Sequence, residues 1–218
     1  MKRLVALLIL IFMVFSSTLP FLIKNDSDNI EIEEITQETK PRIIVIEIVK
    51  SDVEIATENA QKELEEINNI SDKKEWFVAY KNIIDKYSYI LDPPETIYDY
   101  YTDEELDMFF RVVQAEIGDE YTFEQKCNVA SVILNRIDHY KFSDEMLEIL
   151  TPQQFETVKN SSYKNVKVSE DTILACEYAF EIEDTTGGCL FFDSNNTLNY
   201  EFVFNDGVHN YYKLEQEK

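Results

Sequence analysis

Glycine is scarce in this chain, with four in 218 residues, at positions 118, 187, 188 and 207. Average usage is about 7%. Neither GxGxxG nor the GxxxxGKS/T pattern can be written with these four, which excludes nucleotide binding through a glycine-rich cradle in its usual forms. Histidine (two) and cysteine (three) are equally sparse, and neither CxxC nor HExxH occurs. A metal site built from the protein's own ligands is therefore not expected, and neither is a cofactor. Positive charge is also short: 20 Lys and Arg face 43 Asp and Glu, a formal net charge of −23. Phosphate neutralisation needs a basic surface, so nucleic acid is excluded as a partner. Disorder throughout is excluded too, because 44% of the residues are hydrophobic and 13% aromatic.

What is present begins with Met1-Lys2-Arg3, followed by Leu4 to Ile23 without a charge. Two cations ahead of an apolar run of about 20 residues give residues 1–23 the layout of a signal peptide or an N-terminal membrane anchor. No clear A-x-A cleavage site follows, which favours the anchor, with Lys2 and Arg3 on the cytoplasmic side. A cleaved signal is the alternative. Either way the remainder is expected to be extracytoplasmic. Residues 24–52 read as an acidic stalk or linker, with a short strand candidate at Ile43 to Val49. Cys127 and Cys176 fall within apolar helical patterns and read as small buried side chains.

The folded part should start near Val53. Val53, Ala56, Ala60, Leu64 and Ile67 recur at helical spacing, and Trp76, Phe77, Tyr80, Ile83, Ile84, Tyr87 and Ile90 form a second stripe that Pro93-Pro94 should end. Residues 53–101 are thus a helical N-terminal segment, either a packing spacer or part of the catalytic fold. From residue 102 the punctuation sharpens. Thr102 with Glu105 and Thr122 with Gln125 are capping boxes, and Gly118 is a helix stop between them. The second helix carries so wide an apolar surface that it should be central and buried. Ser143 is the expected cap of a short helix to Leu150, and Ser169 the cap of a longer one to about Glu183, stopped by Gly187-Gly188. Cys189 to Asp193 reads as a strand. Tyr200 to Phe204, Asn205-Asp206-Gly207 and Val208 to Lys213 read as a β-hairpin. Helices followed by a small antiparallel sheet make an α+β layout over residues 102–218.

One carboxylate stands out. Glu116 lies three residues beyond Val113 and seven beyond Phe109, on the apolar face of its helix and in the last turn. Burial and the helix C-terminus both disfavour its charged form and raise its pKa. A carboxylic acid that keeps its proton near neutrality is what glycosidic bond cleavage requires, because the leaving oxygen must be protonated as the bond breaks. The bland alternative is a glutamate at the rim of the stripe, reaching solvent. Glu120, just past Gly118, is a possible second carboxylate. It could hold water, act as a nucleophile or bind a sugar hydroxyl; the bland alternative is a solvated loop residue. A Cys127–His209 nucleophilic pair is conceivable, but the one cation near the sulfur, Lys126, faces another direction on the helix.

Gln114-Ala115-Glu116-Ile117-Gly118-Asp119-Glu120, Asn128 to Ile137, Gln154-Phe155, Gly188 to Phe192 and Gly207 to Tyr212 together resemble the cell wall hydrolase family of the spore cortex-lytic enzymes (SleB/CwlJ type). The resemblance spans roughly residues 104–213. It implies a lysozyme-like, mainly helical domain with a small antiparallel sheet, acting on peptidoglycan glycan strands as a lytic transglycosylase. It implies that Glu116 is the catalytic acid, and that Glu120, Asn135, Arg136, Gln154, Phe155 and His209 occupy other recurrent positions, those at 135–136 and 154–155 being partly architectural. Gln154, Phe155, His209 and Tyr211 are the substrate-binding candidates, since amides and aromatic faces suit sugars. Where the family has Ala-Arg-Gly between its two glutamates, this chain has Ile117-Gly118-Asp119. The reading that follows is an enzyme at the cell wall, secreted or tethered to the cytoplasmic membrane. The competing reading is a membrane-anchored scaffold whose lysozyme-like domain no longer catalyses.

Overall fold

The computed structural model describes residues 50–195 and 197–214. The candidate anchor, nearly all of the acidic stalk and the strand candidate at 43–49 lie outside the described residues. Among the described residues, no helix is long and apolar enough to cross a membrane. Among the described residues seven helices and three strands follow in order: α1 (Asp52–Ile67), α2 (Lys73–Tyr87), α3 (Asp103–Ile117), α4 (Phe123–Ile137), α5 (Met146–Ile149), α6 (Glu156–Lys159), α7 (Glu170–Glu181), β1 (Phe191–Asp193), β2 (Glu201–Asn205) and β3 (Asn210–Lys213). Single 3₁₀ turns at Ile97–Asp99 and Ser162–Asn165 complete the path. The strands form an antiparallel sheet in the order β1-β3-β2. The layout is mainly helical α+β, as the sequence pattern predicts.

Helix starts follow their caps. Ser51, Thr102 and Thr122 each accept from a backbone N–H three residues on, and the residue at that place bonds back, closing three capping boxes. Each such cap stabilises by about 1 kcal/mol. Gly118 ends α3 at φ +75°, a conformation that L side chains rarely adopt.

Several boundaries differ from the sequence expectation. Helix α2 stops at Tyr87, well before Pro93-Pro94, because the Tyr87 carbonyl accepts from both Ile90 and Leu91 and closes a turn. Ser143 is not a cap: α5 begins after Glu145, and the Ser143 hydroxyl instead bonds Glu148 and the Glu145 N–H. Helix α7 ends at Glu181, so Gly187-Gly188 form a later turn. β3 starts at Asn210 because the Asp206 carboxylate takes the Val208 and His209 N–H groups.

Helix α4 is the central element. Its apolar side chains pack with those of α3, α5 and α7 in the main core, around Phe109, Val113, Ile117, Val129, Ile133, Leu134 and Cys176. A polar stripe on the same helix holds the sheet. Asn128 Nδ2 donates to Asp206 Oδ2 at 3.1 Å, and Gln125 Nε2 donates to the Asp206 carbonyl at 2.9 Å. Ser131 Oγ accepts from the Thr185 N–H at 3.2 Å. Asn135 Nδ2 reaches Thr186 Oγ1 and the Cys189 carbonyl, both at 3.1 Å. Residues 128, 131 and 135 share one helix face, so one row of amides and hydroxyls fixes the hairpin turn and the start of β1 together.

The α1–α2 pair docks on the outside of α4 and α7. Phe77 and Tyr80 pack with Cys127, Ala175 and Tyr178, and Lys81 reaches Glu177 at 2.8 Å. The helical segment is therefore in contact with the rest of the fold. All three cysteines are free and buried. Burial pushes every thiol up, Cys189 to about 11, which opposes thiolate chemistry.

Candidate active site

Three parts of the fold converge on one cleft of about 210 Å³. Glu116, from the last turn of α3, and Arg136, from the last turn of α4, form one wall. Gln154, Phe155 and Glu156 come from the start of α6. Phe192, Asp193, Ser194 and His209 come from the sheet that the polar stripe of α4 holds in place.

Glu116 is half-buried, since Val112, Val113 and Ile117 around it are core residues. Thr157 Oγ1 donates to Glu116 Oε1 at 2.5 Å. Burial pushes its pKa up; the Thr157 bond and the Arg136 charge pull it back, Glu156 adds to the rise, and the net direction is upward. The proton is thus held to higher pH than on an ordinary glutamate, while the hydrogen bond and the cation keep the carboxylate accessible.

Arg136 is 4% exposed. Its Nε donates to the Leu190 carbonyl at 2.7 Å and one Nη to Gln154 Oε1 at 3.3 Å. The rings of Phe155, Phe191 and Phe142 lie 5.0, 5.5 and 5.7 Å from the guanidinium carbon. Burial lowers its pKa to about 10, which leaves it cationic at neutral pH. Asp193 is the opposite case. Burial pushes its pKa up, but bonds from the Thr197 backbone and hydroxyl, Tyr212 and Asn210 outweigh that and hold it at about 2. The cleft therefore contains one carboxyl disposed to carry a proton and one that stays ionised, the separation that marks acid and base assignments.

Of the residues picked out from sequence, Glu116, Gln154, Phe155 and His209 meet in this cleft. Two do not. Glu120 is exposed and outside the lining; the positive φ of Gly118 turns the chain, and the Glu120 carboxylate folds back over the glycine, 2.5 Å from where a Cβ would stand. Tyr211 is fully buried, stacked on Phe204 at 4.6 Å, with its hydroxyl donating to Asp206 at 2.9 Å, so it supports the sheet and cannot face a substrate. Thr157, Asp193 and Phe192 were missed. Nothing local marks Thr157, and Asp193 reads as the polar end of a strand. Arg136 did leave a signal: a cation between Ile133 and Ile137 on an apolar helix must find partners inside the fold.

Comparison with known proteins adds a family. Residues 121–216 match the family described as Cell Wall Hydrolase; the match begins just beyond Glu116 and Glu120. No curated protein matches. Among solved structures, the chain is similar to the catalytic domain of the Bacillus cereus SleB protein, with 21% identity and a TM-score of 0.47 over 52% of this chain and 92% of that one. It is also similar to the catalytic domain of the germination-specific lytic transglycosylase SleB from Bacillus anthracis, with 21% identity and a TM-score of 0.48 over 54% of this chain and 100% of that one.

Proposed function

We propose, from the match of residues 121–216 to the family described as Cell Wall Hydrolase, that this chain is an exported enzyme cleaving the N-acetylmuramic acid–N-acetylglucosamine bond of peptidoglycan, with Glu116 as general acid and then base. The observation that carries this reading is the half-buried Glu116 carboxyl on the wall of an open cleft, its pKa raised by burial and its position fixed by Thr157.

Glu116 gives its proton to the bridging oxygen as the bond from the muramoyl C1 breaks. Positive charge develops on the sugar ring, and the ionised Asp193 in the same cleft lowers the energy of that charge. The muramoyl C6 hydroxyl then attacks C1, and its proton passes to the Glu116 carboxylate. The product is a 1,6-anhydro ring and the acid is regenerated. One proton-exchanging carboxyl suffices because an internal hydroxyl replaces water. Phe155 and Phe192 supply apolar surface for a sugar face. Peptidoglycan lies outside the cytoplasmic membrane, and the apolar run from Leu4 to Ile23 supports export.

Mass spectrometry of the material released from purified sacculi tests the chemistry. Anhydro termini support transglycosylation. Reducing termini replace it by hydrolysis. Release of nothing by the folded protein returns the chain to the scaffold reading.

A further inference from the structure

Glu116 projects from the last turn of α3. The final carbonyls of a helix have no intrahelical partner, so that turn frays unless something outside the helix holds it. Thr157 fixes the carboxyl group; the backbone beneath it is held from another side. Gln114, 5% exposed, stands two residues before Glu116 in the same turn. Its Oε1 accepts from the Ser169 N–H at 3.0 Å, the Ser169 hydroxyl at 3.1 Å and the Thr172 hydroxyl at 2.7 Å. Its Nε2 donates to Asp119 Oδ1 at 3.1 Å. Three donors face the amide oxygen and a carboxylate faces the nitrogen, so one orientation of the amide satisfies them all. A single side chain thus bridges the Gly118 turn and ties it to the first turn of α7, whose N-cap is Ser169.

The same Asp119 oxygen meets a buried cation. Lys126 on α4 is 1% exposed, and a lysine so enclosed needs partners. Its Nζ lies 2.5 Å from Asp171 Oδ2 and 3.8 Å from Asp119 Oδ1. The other Asp171 oxygen takes Lys74 of α2 at 2.6 Å. Burial pushes the Asp171 pKa up, but the Lys126 and Lys74 bonds outweigh it and the net direction is downward, so the carboxylate stays ionised between them. Lys74, Asp171, Lys126 and Asp119 therefore alternate in sign from α2 through α7 and α4 to the end of α3.

We propose that Gln114, Asp119 and Lys126 are positioning residues for the Glu116 acid, and that Lys74, through Asp171, makes the α1–α2 pair part of this brace rather than a spacer. This rests on the reading of Glu116 as the proton donor. None of these five described residues lines the cleft. Loosening the brace therefore leaves the sugar surface intact and moves the acid, and a misplacement of about 1 Å costs a reaction about 100-fold. The loss belongs in kcat, with KM nearly unchanged.

Steady-state cleavage of soluble glycan strands by the full chain tests this, with circular dichroism confirming that each variant is folded. The Asp119 side chain is 66% exposed, so its substitution should spare the fold. Asp119→Ala removes both the acceptor and the charge, and kcat should fall about 10-fold or more with KM within about 2-fold of the parent. Asp119→Asn keeps an acceptor for Gln114 and should recover most of the rate. Lys74→Gln breaks a partly exposed pair and should lower kcat about 3-fold, and by less where Asp119 is already alanine. Parental kcat in Asp119→Ala, or a loss confined to KM, overturns the positioning role and leaves the acid in place. An asparagine variant as slow as the alanine one overturns the Gln114 bridge. Parental kcat in Lys74→Gln, or effects that simply add, returns α1–α2 to a spacer. A parent chain that cleaves nothing takes down the acid and its brace together.

Discussion

Replacing Glu181 by glutamine should stabilise the protein, and only on the alkaline side. Glu181 ends α7 where α2 docks; its side chain is 6% exposed and its Oε1 has no hydrogen-bond partner. Lys81 on α2 stands 4.0 Å away and is committed at 2.8 Å to Glu177, which also accepts from the Tyr98 hydroxyl at 2.6 Å. Burial pushes the Glu181 pKa up, Lys81 pulls it down, Glu177 and Asp99 add to the rise, and it stands at about 7 against an ordinary 4.5. The folded pKa is the higher one, so folding favours the protonated form. The acid form costs nothing below about pH 4.5, and the cost of burying the charge grows as pH rises through about 7. A difference of about 2.5 pH units at about 1.4 kcal/mol each gives about 3.5 kcal/mol at full ionisation. The attraction of Lys81 is already inside that difference, so glutamine, which removes the cost, should gain about 3 kcal/mol. The assay is urea unfolding followed by Trp76, the single tryptophan, which sits on α2 stacked over Tyr80 at 5.4 Å. Glu181→Gln should raise the midpoint at about pH 8 and leave it unchanged at about pH 4. An equal gain at both values, or a loss at the higher, refutes the reasoning.

Thr157→Val removes a bond that stabilises the Glu116 carboxylate, so the alkaline limb of the pH–rate profile should move up by about one pH unit as kcat falls; an unmoved limb means Thr157 does not tune the acid. Asn135→Ala strips two 3.1 Å bonds between α4 and the Thr186–Cys189 turn and should cost about 1–3 kcal/mol in urea unfolding; an unchanged midpoint shows that the polar stripe is not what holds the sheet. With a net charge of −23 acting on a largely anionic wall, activity should rise with moderate salt or divalent cations. A steady fall as salt is added from near zero contradicts that electrostatic account.

The parts legible in the sequence are those whose physics is local. Thr102 with Glu105, Thr122 with Gln125 and Asn205-Asp206-Gly207 each state a backbone geometry within a few residues, and the structure has all three. Glu116 was legible because helix periodicity alone places it beside Val113. Partners far apart in the chain were not. Thr157 meets Glu116 across 41 positions, and Arg136 reaches Leu190 across 54. Tyr211 failed for the same reason, because strand alternation gives its face but not what covers it, and Val132 and Cys189 do. Glu120 failed because the turn at Gly118 depends on a dihedral that spacing does not reveal.

The central claim is that Glu116 supplies the proton. Glu116→Gln keeps the shape of the side chain and its acceptor for Thr157 but has no acid proton to give. On purified sacculi, with circular dichroism matching the parent chain, the variant should release muropeptides at least about 100-fold more slowly. Release at the parent rate would contradict the account.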